Sequence, residues 1–330
     1  MANMNADRVG QIMQSGSADA LFLKVFGGEV LTAFEQATTL KDRVTIRTIS
    51  SGKSAQFPRM GRFTAQYHTP GNEILGLNND WSEVVITIDD LLISHAFIAN
   101  IDEAKAHYDV RSPISSEIGR ALANMWDTQL LQLAVKGARS ANPVTSLPGG
   151  TQILTNSTGA PASADYMNNG GNLAAALFLA AQVLDTNSVP QEDRYAYVRP
   201  AQYYQLASTF NNINKFWGGM GSFADGTVMK IAGFEIVKTI HLPTSAVAAG
   251  SVAAGFGPSG NNPYQVDPSA TAALCMHKSA LGTVKLMDLA MESEYQIMRQ
   301  GTLMVAKYAV GHGVLRNEAL VEIKNSATAG

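Results

Sequence analysis

The longest regular pattern in the 330-residue chain is Ser112–Gly137. Ser112 suits a helix N-cap, and Pro113 suits the first helical position, where its missing N–H costs nothing. Ile118, Leu122, Met125, Trp126, Leu130 and Leu133 recur at three- and four-residue spacing and form one apolar stripe. Gly137 and Pro143 end it. A helix of this length needs a surface to cover, and the flanking segments read as strands. Arg43–Ser50 alternates, with Val44, Ile46 and Thr48 on one face, and Glu83–Asp89 is alternating and β-branched. Between them Ser51–Asn79 is rich in Gly, Pro, Asn and aromatics without a period; too long for a hairpin turn, it reads as an extended loop or arm.

The remaining chain alternates helix and strand. Met1–Ser17 is small and polar and is expected to be weakly ordered; Ala18–Ala37 reads as a helix interrupted or capped at Gly27-Gly28. Ser140–Gly171 is a polar boundary, and Asn172–Leu184 is an Ala/Leu helix apolar almost all round. Arg194–Val198 reads as a strand, Pro200–Ser208 as a short helix, and Val228–Ile240 as two strand-like runs around Gly233. After the Ala/Gly/Ser loop Ser245–Asn262, the stretch Ala272–Lys324 is mostly strand-like, with Val284, Leu286, Leu303, Val305, Val321 and Ile323 as core positions. Strands drawn from distant parts of the chain make the fold α+β.

Composition narrows the function. Charged residues are 15% of the chain, below the roughly 25% of an average soluble protein. Low charge with 46% hydrophobic residues argues against disorder and for surface hidden against a partner. A net charge of -3 and a pI near 6.1 argue against a dedicated nucleic-acid binder. The single cysteine, Cys275, cannot form an intrachain disulfide. No basic stretch followed by an apolar one opens the chain, and the longest apolar run, Leu173–Ala181, is far short of the about 18 residues that span a bilayer. The expectation is a soluble, non-secreted protein with no membrane partner.

Catalytic, cofactor-binding and metal-binding residues are not expected. Gly52-Lys53-Ser54 matches the tail of a phosphate loop, but Arg47 stands where the pattern needs a glycine, so a turn is the better reading. The six histidines have no ligand spacing, His277 being two residues from Cys275. Gly311-His312-Gly313 could expose an imidazole on a turn, yet no nucleophile signature accompanies it. The acidic pairs Asp89-Asp90 and Asp102-Glu103 read as solvated edges.

Charge distribution says more. Between Lys41 and Arg62 the net charge is +5, and between Glu73 and Asp109 it is −7. Lys53, Arg59 and Arg62 on one side, and Glu73, Glu83, Asp89 and Asp90 on the other, are the candidate pairing residues. They could pair within one chain or between copies; between copies they would set register and partner choice more than affinity.

These segments also carry a resemblance. Leu21–Phe34, Ile49–Pro58, Val85–Asp89, His107–Ser112, His277–Ala280 with Gly282–Leu286, and Ala306–Ala309 with Gly311–Gly313 resemble, in order, blocks of the T7-like podophage major capsid proteins. Asn317 departs from that family, which usually has proline there. The resemblance implies the HK97-type capsid fold: an N-terminal arm (1–61), an E-loop hairpin (62–93), a peripheral domain (94–155) with its spine helix (112–137), an axial domain (156–280), and return strands (281–330). It further implies a non-enzymatic, cofactor-free subunit that forms hexamers and pentamers of an icosahedral head. Scaffolding protein and portal would be partners during assembly in the host cytoplasm, and packaged double-stranded DNA would be held without sequence preference in the virion. An encapsulin-like shell around protein cargo shares this fold and stands as the alternative.

Overall fold

The computed structural model describes residues 29–30, 32–35, 37–74, 76, 79–101, 111–157, 160, 165–209, 230–247 and 263–326. The Gly27-Gly28 cap, Asp102-Glu103, His107–Val110 and most of the 245–262 loop lie outside them. In chain order the strands are β1 (Thr45–Thr48), β2 (Ser54–Met60), β3 (Trp81–Thr87), β4 (Leu92–Ala99), β5 (Thr151–Ile153), β6 (Arg194–Val198), β7 (Lys230–Ile231), β8 (Phe234–Lys238), β9 (Thr271–His277), β10 (Leu281–Gln296), β11 (Gly301–Val314) and β12 (Leu320–Lys324). The helices with described bounds are α1 (Arg111–Ala138), α2 (Gly170–Thr186) and α3 (Pro200–Ser208); residues 29–30, 32–35 and 37, in the expected Ala18–Ala37 helix, are helical as well. The chain is α+β and divides into two compact units, residues 1–38, 91–125 and 287–309 in one, the rest in the other.

In the first unit β4 pairs antiparallel with the early part of β11, from Gly301↔Ala99 to Tyr308↔Leu92. Ile98, Met304, Ala306 and Tyr308 are buried, with the Tyr308 hydroxyl donating to the Leu122 carbonyl of α1 at 3.2 Å. In this half of α1 the expected stripe holds: Ile118 and Leu122 are buried while Glu117, Arg120 and Ala121 are exposed.

The second unit is built on a six-stranded mixed sheet in the order β5-β12-β9-β6-β8-β7. Every residue from Thr271 to Met276 in β9 and from Leu320 to Ile323 in β12 is buried, as expected of strands covered on both faces. Helix α2 buries Leu173, Ala174, Ala176, Leu177, Ala180 and Leu184; Asn169 caps it, its side-chain oxygen accepting from the Gly171 and Asn172 amides.

The structure alters several expectations. From Trp126 to Val135 all but one residue of α1 is buried, not one stripe. The buried Asp127 carboxylate is bonded: it accepts from the Thr39 amide (2.8 Å), the Thr39 hydroxyl (2.6 Å) and the Leu40 amide (3.3 Å). Ser54–Met60 is a strand, not loop, and it, rather than residues 43–50, pairs with β3. Its inward positions carry Ala55 and Arg59 and its centre carries Pro58, so apolar alternation never shows. β1 instead runs parallel to the start of β10, Thr45 opposite Gly282. β4 reads Leu-Ile-Ser-His-Ala-Phe-Ile-Ala, without the polar alternation that marks a strand.

Candidate assembly surface

The β2–β3 hairpin lies in the second unit, in register from Ser54↔Thr87 to Met60↔Trp81. Alternation points Ala55, Phe57, Arg59, Val84 and Ile86 inward, and Gln56, Pro58, Met60, Trp81, Glu83 and Val85 outward. Pro58 is tolerated because β2 has a neighbour on one side only. Ala55 and Ile86 bury against Val284, with Ile49, Phe57, Val84, Ile88 and Leu315 around them.

Gly311 and Gly313 of β11 provide the seat. A Cβ on Gly311 would collide with the Thr87 carbonyl oxygen, and one on Gly313 with the Ile86 side chain. The Asp89 amide donates to the Val310 carbonyl at 3.1 Å. His312, between the glycines, is therefore not an exposed imidazole on a turn. It is buried within β11, edge-on to Trp126 at 4.9 Å, its Nδ1 2.8 Å from the Thr283 hydroxyl. Burial pushes its pKa down to about 3, so the ring stays neutral near pH 7.

The candidate charged residues separate into two groups. Lys53 is exposed in the turn between β1 and β2, where Gly52 takes a φ of 111° that favours glycine. Arg62, Glu73, Glu83 and Asp90 are exposed as well; Arg62 also donates to the Asn187 carbonyl. Arg59 is 7% exposed, and its Nη1 donates to Asn142 Oδ1 (2.8 Å) and Asn317 Oδ1 (3.2 Å). Burial lowers its pKa, while the nearby Glu318 carboxylate opposes that shift. Asp89 is half-buried and accepts from the Tyr264 hydroxyl. Burial pushes its pKa up to about 6, the Tyr264 bond pulling back in part and Asp90 adding repulsion.

The basic and acidic segments do lie side by side, since β2 pairs with β3. Their charges do not meet: Arg59 points inward, while Glu83, opposite Pro58, points outward. No ion pair among the described residues joins the candidate bases to the candidate acids. A reversal of Arg59 to Glu would place two carboxylates together at Glu318, so it probes subunit folding, not assembly.

Several structural polar residues escape sequence reasoning. Arg139 makes two 2.7 Å hydrogen bonds to the fully buried carboxylate of Glu322, which also accepts from the Thr271 hydroxyl. Arg199 donates to the carbonyls of Thr271, Pro243 and Pro268, each at 2.7 Å. Asn317 donates to the Gly137 carbonyl at 3.1 Å besides accepting from Arg59. Its departure from the family's proline was the one available signal. Among the described residues no group of three or more His, Cys, Asp or Glu could hold a metal ion, and no helix is long and apolar enough to cross a membrane.

A strand hairpin, a long helix and a mixed sheet completed by late strands make up the HK97-type capsid fold, that of viral shell subunits. The solved capsid of cyanophage P-SCSP1u is similar over 99% of this chain and 100% of its own, with a TM-score of 0.77 and 42% identity. The mature capsid of bacteriophage PhiM1 shares the fold at a TM-score of 0.71 and 18% identity, covering 88% of each chain. The chain belongs to the Gp10A-like major capsid protein family, whose model matches residues 56–324. The major capsid protein of Escherichia phage T7 is 37% identical over 322 residues, 93% of this chain and 92% of the T7 protein. The resemblance read from the sequence blocks is thereby borne out.

Proposed function

We propose that copies of this chain tile an icosahedral phage head as hexamers and pentamers around double-stranded DNA. The role is structural, not enzymatic. The likeness to the cyanophage capsid over the whole of both chains carries the reading. Scaffolding protein and portal act with it during assembly in the host cytoplasm, and the shell of the virion is its final place. No observation favours an encapsulin-like cargo shell.

The proposed parts keep the expected order, with one adjustment. The E-loop is assigned to the whole hairpin from β2 to β3, so its first strand comes from the range expected of the arm (1–61). The ranges 94–155, 156–280 and 281–330 remain the proposed peripheral domain, axial domain and return strands. Exposed Lys53, Arg62, Glu73, Glu83 and Asp90 are proposed to face neighbouring copies, where charge sets register. Arg59 and Asp89 act mainly inside their own subunit.

Electron microscopy of the purified chain, co-produced with its scaffold, should show closed shells. Sedimentation as monomer alone at micromolar concentration would overturn the proposal.

A further inference from the structure

The foot of the hairpin holds a cleft of about 450 Å³ within the second unit. Phe57, Val84, Leu147 and Leu315 give it apolar walls. Arg59, Arg62 and Arg316 also line it, against one carboxylate, Glu318. That carboxylate is already engaged, accepting from Arg316 Nε at 2.8 Å and from Asn142 Nδ2 at 3.0 Å.

Arg59 is only half used. Both of its hydrogen bonds leave from Nη1, while Nε and Nη2 are buried without a partner. Unpartnered buried donors cost about 1–3 kcal/mol each, more on a charged group. The Nε–Nη2 edge presents two parallel N–H groups, the fork that matches the two oxygens of a carboxylate.

We propose that this cleft binds a peptide carboxylate borne beside an apolar side chain. The Nε–Nη2 edge of Arg59 clamps the carboxylate, and the apolar side chain lies against Phe57, Val84, Leu147 and Leu315. Both nitrogens are closed to water in the empty subunit, so entry includes a side-chain shift at the cleft wall. A phosphate of duplex DNA is a poor fit: it sits on the flank of a broad rod and cannot follow the guanidinium into the cleft.

The probe is a labelled, end-blocked Asn-Glu-Ile peptide, the sequence of residues 72–74, in which Ile74 is 78% exposed. Fluorescence anisotropy with the full chain should show saturable binding. Arg59→Lys, which keeps the charge but loses the fork, should weaken it at least tenfold, as should Gln for Glu in the peptide. Acetate and inorganic phosphate should compete at least tenfold more weakly than the unlabelled peptide. Leu147→Trp, which fills the apolar wall, should also abolish binding and carries the test if Arg59→Lys does not fold. Absence of saturable binding overturns the proposal, as does binding that survives both substitutions. Equal competition by acetate or phosphate reduces the cleft to a plain anion pocket and overturns it too. Because the peptide is free, its failure beside intact shells would leave the shell reading standing.

Discussion

The β2–β3 hairpin and the six-stranded sheet are made of the same kind of backbone and differ in what covers it. In the sheet, β9 and β12 are buried on both faces, and even a charged residue such as Glu322 is matched by Arg139 and Thr271. The hairpin has two strands, a small inner cluster around Ala55 and Ile86, and an outer face bearing Trp81 at 67% and Met60 at 49% exposure. An isolated two-stranded ribbon is marginal in water. The sheet therefore completes itself inside one subunit, whereas the hairpin leaves apolar and charged surface exposed, the surface proposed above to face neighbouring copies.

Four tests would break or sharpen that contrast. Arg139→Met should be the most damaging, because it leaves the buried Glu322 carboxylate unpaired. Denaturant unfolding should report a loss of about 3–5 kcal/mol, and a second change, Glu322→Leu, should recover part of it. A smaller loss for the single variant than for the double would mean the pair is not needed by the sheet. Gly311→Ala strikes the hairpin seat, where the added methyl meets the Thr87 carbonyl. Overpacking of this kind costs about 1–3 kcal/mol, and shells, if they form, should be irregular; regular heads at unchanged stability would argue that the seat is loose.

Asp89 at the end of the hairpin offers a titration. Its folded pKa of about 6 lies above the ordinary 3.8 because burial opposes the charge. The folded subunit thus holds this proton more tightly than the unfolded chain. Its stabilisation is present below about pH 4 and is lost as pH rises through about 6. Asp89→Asn should remove that slope between pH 4 and 6 in thermal unfolding of the wild type, and an unchanged slope would assign it to other groups. The smallest effect on the subunit is expected from reversing Lys53 and Arg62 to Glu. Exposed changes stay within about 0.5 kcal/mol, yet repetition around a closed shell should stop assembly. High salt should weaken the wild-type contact, since the screening length falls to about 3 Å at 1 M. Normal heads from the double variant would count against a charged register between copies.

Elements with a local code were legible. α2, β6 and α3 fall on or within two residues of their expected spans, since a continuous apolar run, a β-rich pentapeptide and a proline at N1 each act over a few residues. α1 runs from Arg111 to Ala138, one residue beyond each expected end, and it includes Ser112, which was expected to cap it. β2 was hidden because an inward-facing arginine and a proline mimic loop composition. The roles of Asp127 and Glu322 were hidden, since nothing nearby in sequence reveals Thr39, Leu40, Arg139 or Thr271 as their partners. Glycines 311 and 313 looked like a flexible turn, although they are a contact surface for residues more than 200 positions earlier.

The sequence by itself determined the fold class, the helices, the family through its ordered blocks, and the opposite charge of two adjacent segments. The family rests on the resemblance of those blocks; the fold class, helices and charges rest on composition and on periods of two or 3.6 residues, which a single strand or helix expresses alone. Tertiary structure decided which strand pairs with which, and that Arg59 turns inward while Glu83 turns outward. It also decided that Arg59 keeps one edge of its guanidinium unpaired beside a cleft lined by both apolar side chains and arginines. Such outcomes depend on register and on burial by distant residues, and a one-residue change in either would exchange the inward and outward faces.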